Sequence, residues 1–342
     1  MGIKVSVLAP HPLGYPSGAL ALFRIVVECP LIEEMVLGYS ATGTSSEIPV
    51  VRDKVVEVAL SDDSSLEFFV HECRDSDAVF LSNVCQLPKS LVIEVVKRVR
   101  SVERVFAVIH EGIAYECTAL EWVCRVSWIT PLVFDASYIR FVLPPHARKR
   151  AAIVGHPVPE IPSISAVSKR ELYVMVRRWD WPVAKSFVIQ LAQSLPEYRI
   201  LVQGAFTEVT ELARSMGLEN VVAVPPLQPS RLAQIESSTT LAILFRCPTG
   251  YLNVVIPTQL FENYGYAPVI APSNDFTLTT SLCRRLVTLV NAPTISVKHV
   301  VENLHRLDEL RQRHTENYEM FVRELRACTW LKRVLETTST RA

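Results

Sequence analysis

The chain has 342 residues, a length that suits two domains of ordinary size. Apolar residues make up 49% and charged residues 20%, a composition that excludes a disordered chain. The formal net charge is zero, so no charge excess predicts binding to nucleic acid or to anionic lipid. No apolar run is long enough to span a bilayer, and the start of the chain lacks the apolar core of a signal peptide. We therefore expect a cytoplasmic protein, with peripheral attachment to a membrane as the alternative.

The first half of the chain alternates predicted strands and helices. The apolar run IKVSVLAP at 3–10 predicts a buried parallel strand, the turn residues of 11–18 follow, and 19–29 predicts a helix. Later strands are predicted at 77–83, 104–112, 151–158 and the start of 128–143, with helices at 88–101 and 114–125. This order is typical of a doubly wound α/β domain.

A segment rich in proline and serine, 157–169, predicts the boundary between the two domains. A second α/β series follows it. Its predicted strands are 171–177, 198–204, 221–227, 240–246 and 268–272, and its helices are 182–196, 207–219, 229–238, 258–266 and a long polar tail over 297–336. The sequence therefore predicts two Rossmann-like doubly wound α/β domains that face a central cleft.

Candidate ligand-binding residues are those that directly follow the predicted strands. Ligands of open α/β sheets bind beyond the carboxyl ends of the strands. The residues at these positions are 14–18, His110, Glu111, His156, Arg177, Arg178, Gly204, 246–250 and Glu262.

Several well-known site motifs are absent. The chain has no G-x-G-x-x-G fingerprint, no G-K-[ST] phosphate loop, no H-E-x-x-H pair and no G-x-S-x-G elbow. Eight cysteines are present without a C-x-x-C pair, so we expect no metal site. Buried, reduced cysteines are the first expectation, and disulfides of a hyperthermophilic intracellular protein are the alternative.

Charged residues in the second half suggest a site for a nucleotide sugar. Arg177, Arg178 and Lys185 flank its first strand-to-helix junction, where the helix N-terminus also offers N–H groups to a phosphate. Glu262 can accept hydrogen bonds from two neighbouring hydroxyls, as on a ribose. The competing interpretation is that these cations are surface charges and that Glu262 is a solvated helix residue.

The order of these pieces resembles the two-domain B-fold glycosyltransferases, of the group-1, family-4 type, which use nucleotide-activated sugars. The matching stretches are VLAPHPLGYPSGALALF, VIHEG, AAIVGHPV, YVMVRRWDWPVAKSFVIQLAQSLPEYRILVQG and IPTQLFENYGYAPVIA. The resemblance covers nearly the whole chain. It implies an acceptor-side domain at 1–160, a nucleotide-sugar-binding domain at 161–322, and a tail helix at 323–342 that returns to the first domain.

The resemblance also implies roles for individual residues. Glu262 would hold the ribose hydroxyls, and Arg178 with Lys185 would neutralise the diphosphate. His110 would face the acceptor, with Glu111 beside it as a second candidate for catalysis. The remaining candidates for donor binding are Gly18, Gly204, Arg246 and Gly250.

The chain departs from the family pattern in four places, one of which is the first loop, where the family's paired glycines are reduced to Ser17 and Gly18. Val254 replaces the first of two glutamates that many members carry, Gln259 replaces a lysine, and Ala267 replaces a glycine. The neutral Gln259 puts diphosphate binding in doubt, and Arg246 is a candidate to supply the missing charge. Val254 puts the sugar specificity in doubt.

The predicted function is transfer of a sugar from a nucleotide-diphosphate donor to an acceptor hydroxyl, without a metal or any cofactor. The expected partners are the nucleotide sugar and a carbohydrate, lipid-linked or other hydroxyl acceptor, with no nucleic acid. Two alternatives stay open: a degenerate, non-catalytic B-fold protein that binds a sugar or a partner, and a nucleotide-sugar epimerase.

Overall fold

The computed structural model describes most of the chain, namely residues 2–15, 18–40, 52–109, 117–136, 139, 143–160, 170–247, 258–273, 281–318 and 322–337. The chain divides into two compact units. Unit 1 comprises Met1–Glu160 with Leu325–Ala342, and unit 2 comprises Ile161–Glu324. Each unit has its own parallel sheet, which confirms the predicted α/β class with two Rossmann-like domains.

Unit 1 contains a seven-stranded parallel sheet in the order β3-β2-β1-β4-β5-β6-β7. Its strands are β1 Ile3–Ala9, β2 Ile32–Tyr39, β3 Val55–Ala59, β4 Ala78–Ser82, β5 Val105–Val108, β6 Thr130–Val133 and β7 Ala152–Ile153. The central strand β4 is buried along its whole length, as expected for a parallel sheet covered on both faces. The strand order reverses between β1 and β4, which places the ligand-binding crevice of such a sheet at their carboxyl ends.

The first helices of unit 1 are α1 Gly18–Val27, α2 Asp63–Arg74, α3 Lys89–Arg98 and α4 Thr118–Arg125. Helix α2 begins at a capping box, in which the Asp62 carboxylate accepts a hydrogen bond of 2.8 Å from the Ser65 N–H. Apolar residues on α1 and α3 pack into the core, among them Phe23, Val92 and Val95.

Unit 2 contains a six-stranded parallel sheet in the order β10-β9-β8-β11-β12-β13. Its strands are β8 Glu171–Val176, β9 Arg199–Gln203, β10 Val221–Val224, β11 Leu241–Phe245, β12 Val269–Pro272 and β13 Thr288–Val290. The two central strands, β8 and β11, are fully buried. Here the strand order reverses between β8 and β11, so their carboxyl ends form the corresponding crevice.

The helices of unit 2 are α5 Trp181–Ser194, α6 Phe206–Met216, α7 Pro229–Ser237, α8 Thr258–Glu262, α9 Ser281–Leu286, α10 Val297–Leu304 and α11 Leu307–Asn317. The short helix α12, Arg323–Leu325, crosses the boundary from unit 2 to unit 1. Helix α5 carries Pro182 in its first turn, as predicted, and buries Phe187 and Leu191 in the core. Helix α6 ends at Gly217, whose φ of 63° lies in the left-handed region.

After unit 2 the chain pairs again with unit 1 and forms helix α13, Ala327–Glu336. The Val158 N–H donates to the Leu325 carbonyl at 2.8 Å, and the Ala327 N–H donates to the Val158 carbonyl at 3.1 Å. Trp330 on α13 is fully buried and donates its indole N–H to the Gly155 carbonyl at 2.9 Å. The returning segment is thus joined to unit 1 by backbone and by side-chain hydrogen bonds.

Two disulfides are present. One joins Cys29 to Cys328 across a sequence separation of 299 residues, and the other joins Cys85 to Cys117. The other four cysteines are buried and reduced: Cys73, Cys124, Cys247 and Cys283. The first expectation, of reduced cysteines only, is therefore wrong for four of the eight. Sequence spacing contains no information about which cysteines meet in the fold.

The structure differs from the predicted elements in several places. Helix α9 and strand β13 form over 281–290, where no element was predicted, and β7 covers only part of the predicted strand 151–158. Strands β2 and β3 and helix α2 form between residues 30 and 76, where no element was predicted. The polar tail is not one helix, because the backbone leaves the helical region at Arg306 and at Arg326. Helix α8 ends at Glu262 rather than at residue 266. In the described part of the chain, no helix is both long and apolar enough to cross a membrane.

Candidate functional site

An ion pair lies at the crevice of unit 2, directly after β8. The Arg177 guanidinium donates to both oxygens of the Asp180 carboxylate, at 2.6 and 3.1 Å. Asp180 is buried and precedes the first residue of α5, a position where the helix dipole favours a negative charge. Cys247 follows β11 on the other side of the crevice. Burial raises the pKa of its thiol, the Asp180 charge raises it further, and the Arg177 charge lowers it.

The two cations predicted to bind a diphosphate lie in solvent near the start of α5. The Arg178 side chain is 70% exposed, and its Nε lies 3.4 Å from the Glu208 carboxylate. Such an exposed pair contributes little to stability and breaks readily. Lys185 is exposed on α5, and among the described residues it forms no ion pair. Both side chains are therefore accessible to an anionic ligand.

Gly204 and Gln259 join the carboxyl ends of β8 and β9. The Gln259 amide donates to the Val176 carbonyl and to the Gln203 side-chain oxygen, both at 3.0 Å. Gly204 directly follows β9 with a φ of 110°, and a Cβ there would lie 1.8 Å from the Val176 oxygen. A glycine is thus required for this close approach. Gln259, which stands where the resembled family has a lysine, is thus part of the framework between β8 and β9.

Glu262 is the last residue of α8 and is only 8% exposed. The interpretation of Glu262 as a solvated helix residue is therefore wrong. The next residue, Asn263, is fully buried and accepts a hydrogen bond of 2.6 Å from the Tyr173 hydroxyl. Burial raises the pKa of Tyr173, and electrostatic interaction with the carboxyl groups of Glu236 and Glu262 raises it further. The Glu262 carboxyl thus lies within electrostatic reach of β8.

The crevice of unit 1 contains a histidine, His11, that was not among the predicted site residues. His11 follows β1, and its ring stacks on Tyr15 with 4.0 Å between ring centroids. Burial lowers the pKa of His11, and a hydrogen bond with Gln86, which follows β4, raises it. His11 therefore bridges the carboxyl ends of the two strands at which the sheet order reverses. Its place directly after the predicted strand 3–10 was the signal that could have identified it.

Two side chains, the buried Arg24 and the exposed Glu57, hold the loop that carries His11. The Arg24 guanidinium donates to the Leu13 carbonyl at 3.2 Å and to the Tyr15 carbonyl at 3.0 Å. The Glu57 carboxylate accepts a hydrogen bond of 2.7 Å from the Leu13 N–H. The His11 ring is thus held in place by residues of α1 and β3.

The remaining predicted residues are placed as follows. Gly18 is the first residue of α1, and Arg246 is buried directly after β11. His110, Glu111 and Gly250 lie outside the described residues. Among the described residues, no group of three or more His, Cys, Asp or Glu side chains could hold a metal ion.

Comparison with known proteins shows similarity in structure only. No protein-family model and no curated sequence matches the chain. A glycosyltransferase from Rickettsia africae ESF-5 superposes with a TM-score of 0.60 at 10% identity, over 99% of this chain and 98% of that chain. An alpha-glucosyltransferase in complex with UDP and a 13-mer DNA containing an HMU base has a TM-score of 0.62 at 10% identity, over 99% and 100%.

A third similar structure is WaaG, a glycosyltransferase involved in lipopolysaccharide biosynthesis. It has a TM-score of 0.55 at 11% identity, over 98% of this chain and 99% of that chain. The similarities extend over both units and both parallel sheets. The chain therefore has the B fold of glycosyltransferases, built from two Rossmann-like domains.

Proposed function

We propose that the protein is a glycosyltransferase that moves a sugar from a nucleotide-diphosphate donor to an acceptor hydroxyl without a metal ion. The observation that carries this proposal is the buried carboxyl of Glu262 at the end of α8. Gln259 on the same helix is bonded to the carboxyl ends of β8 and β9. Helix α8 is therefore held at the edge of the sheet where open α/β sheets bind ligands.

In this proposal Glu262 binds the two hydroxyls of the ribose. A carboxylate can accept two hydrogen bonds from neighbouring hydroxyls, and such charge-assisted bonds are stronger than neutral ones. The fold supports a nucleotide ligand, because the similar alpha-glucosyltransferase structures contain UDP.

The diphosphate is assigned to the exposed cations around the start of α5. Arg178 and Lys185 can move toward a ligand, since Arg178 has only the exposed contact with Glu208 to give up. The Asp180 carboxylate would repel a phosphate, but Arg177 neutralises it through two hydrogen bonds. The cations would stabilise the charge that develops on the diphosphate as it leaves.

On the acceptor side, His11 joins the predicted pair His110 and Glu111 as a candidate for catalysis. Burial holds the pKa of His11 below its ordinary value, so its imidazole is neutral at pH 7. A neutral imidazole can take a proton from an acceptor hydroxyl that attacks the sugar. The stacking on Tyr15 sets the plane of the ring for this role.

The test of the nucleotide site is calorimetric titration of UDP, GDP and ADP into the parent protein and into Glu262→Gln. Each nucleotide is compared with its 2′,3′-dideoxy analogue. Hydrogen bonds to a charged group contribute about 1.5–3 kcal/mol, so Glu262→Gln should weaken the ribonucleotide by about tenfold to a hundredfold. The dideoxy analogue should lose much less affinity.

The matched control is Glu211→Gln, which changes an exposed glutamate on α6. It should leave both affinities unchanged. An equal preference for ribose over dideoxyribose in the parent and in Glu262→Gln would contradict the assignment. Release of the nucleoside diphosphate from a nucleotide sugar, which a binding protein would not catalyse, separates the enzyme from the non-catalytic alternative.

A further inference from the structure

The turn between α8 and β12 is held by two neighbouring buried side chains at the end of α7. The Glu236 carboxyl accepts a hydrogen bond from the Ala267 N–H at 3.3 Å and another from the Gly265 backbone. The Ser237 hydroxyl accepts a hydrogen bond from the Tyr266 N–H at 3.1 Å. Three consecutive backbone N–H groups are thus bound by two side chains that are almost completely buried.

The contact between α7 and this turn is too close for any side chain at Gly265. A Cβ on this residue would lie 2.2 Å from the Ser237 oxygen and 2.3 Å from a Glu236 oxygen. Real Cβ atoms do not approach other atoms so closely. The turn can therefore approach α7 only because residue 265 is glycine.

The opposite side of the turn is held by α11. The Nε2 atom of His314 lies 3.1 Å from the Gly265 carbonyl oxygen, and its Nδ1 atom lies 3.5 Å from the Tyr264 hydroxyl. Burial lowers the pKa of His314 to about 4, so the ring is neutral at pH 7. A neutral ring that donates from Nε2 to the carbonyl can accept at Nδ1 from the hydroxyl.

This turn begins one residue after Glu262. Helix α8 has only five residues, too few to be stable by itself, so its position depends on what holds its two ends. Gln259 bonds its start to β8 and β9, and the turn bonds its end to α7. A shift of the turn would therefore move the Glu262 carboxyl.

We propose that Glu236 and Ser237 are positioning residues, which hold the turn of residues 263–267 and so place Glu262 for the ribose of the donor. The inference rests on the proposed function, because it assigns a role to Glu262 in nucleotide binding. Both residues act through the backbone of the turn and need not touch the ligand.

Glu236 contributes acceptor oxygens rather than negative charge to this role. Burial raises the pKa of its carboxyl well above the ordinary value, and the hydrogen bonds from the Ala267 and Gly265 N–H groups lower it. Glutamine offers an oxygen of the same shape in the same place. The proposal therefore predicts that Glu236→Gln keeps the function and that Glu236→Leu loses it.

The experiment measures the ratio of affinities for a nucleoside diphosphate and its 2′,3′-dideoxy analogue in four variants. Glu236→Leu should lose most of the preference for ribose, as Glu262→Gln does, by about tenfold. Ser237→Ala removes only one hydrogen bond to the turn, together with the bond from the Ser237 hydroxyl to the Ala233 carbonyl within α7, and should reduce the ratio by about threefold. Glu236→Gln should keep the ratio of the parent. Ser238→Ala is the matched control, since its hydroxyl donates to the Ile235 carbonyl within α7.

The ratio separates positioning from a general loss of stability, because unfolding lowers both affinities equally. If Glu236→Leu does not fold, Ser237→Ala decides the matter. A parent without any preference for ribose would overturn the proposed function. A parent whose preference is lost in Glu262→Gln but kept in folded Glu236→Leu and Ser237→Ala would overturn the positioning role alone.

Discussion

The side-chain amide of Gln259 and the backbone carbonyl of Val176 are joined by a hydrogen bond of 3.0 Å. In the glycosyltransferases that the sequence resembles, a lysine stands at the position of Gln259. Here the neutral side chain binds the carboxyl end of β8, and it also reaches Gln203 at the end of β9. In the proposed function other cations therefore neutralise the diphosphate, and Gln259 is part of the framework between β8 and β9.

Gln259→Ala should lower the free energy of unfolding by about 1–3 kcal/mol. The variant removes the hydrogen bonds that the Gln259 amide donates to the Val176 carbonyl and to the Gln203 side chain. Chemical denaturation followed by circular dichroism measures the change. The control is Gln190→Ala, which alters an exposed glutamine on α5 and should change stability by less than about 0.5 kcal/mol. Equal stability of the two variants would contradict the structural role of Gln259.

Arg178→Ala and Lys185→Ala should each weaken the binding of nucleoside diphosphates by about threefold to tenfold. The effect is smaller than for a buried pair, because Arg178 is 70% exposed and solvent screens its charge. The loss should shrink when the salt concentration is raised. Isothermal titration calorimetry at two ionic strengths measures the loss of affinity. The control variant is Arg214→Ala, which changes an exposed arginine on α6. Unchanged affinity in both variants would remove these residues from the site.

Gly204→Ala should destabilise the protein more strongly than Gly217→Ala does. Both glycines have positive φ, 110° and 63°, so both variants acquire backbone strain of about 1–2 kcal/mol. Only at position 204 would the new Cβ also meet a neighbour, the Val176 oxygen at 1.8 Å. We expect Gly204→Ala to exceed Gly217→Ala by at least about 1 kcal/mol in thermal or chemical denaturation. The reverse order would be inconsistent with the packing at the end of β9.

The disulfide between Cys29 and Cys328 should stabilise the folded chain by about 2–5 kcal/mol, since it closes a very long loop and restricts the unfolded state. The double variant Cys29→Ser/Cys328→Ser should show this loss in denaturation without a reductant. A reductant should destabilise the parent and should affect the double variant less. Mass spectrometry after thiol alkylation of the unfolded, unreduced parent should find four free thiols, and eight would rule out both disulfides.

His314 should make stability depend on pH in the acid range. Burial lowers its pKa from 6.5 to about 4, so the unfolded chain binds the proton first as the pH falls. The contribution of His314 is complete above pH 6.5 and is lost between pH 6.5 and about 4. Between pH 7 and pH 5 this loss amounts to about 2 kcal/mol. Denaturation at both pH values should show a smaller change in His314→Gln than in the parent. His71→Gln, at a side chain 70% exposed, should behave like the parent.

The sequence by itself determined the α/β class, the two-domain organisation and most strands of both sheets. These features follow from local patterns: buried parallel strands are continuous apolar runs, and each is followed by turn residues and an amphipathic helix. The central strands β1, β4, β8 and β11 were all predicted within two residues of their observed bounds. Strands β2 and β3 lie to one side of the sheet and carry glutamates among their apolar residues, which hides the strand pattern.

Only the tertiary structure decided which groups the candidate site residues contact, because these partners are distant in sequence. The amide of Gln259 meets Val176 across 83 positions, and Tyr266 meets Ser237 across 29. No local pattern predicts such pairs. The early end of α8 has the same cause, since the N–H groups of residues 265–267 bind the side chains of α7 instead of continuing the helix. The burial of Glu262 likewise follows from this packing, and it is the packing that turns a glutamate in a short amphipathic helix into a candidate ligand for a ribose.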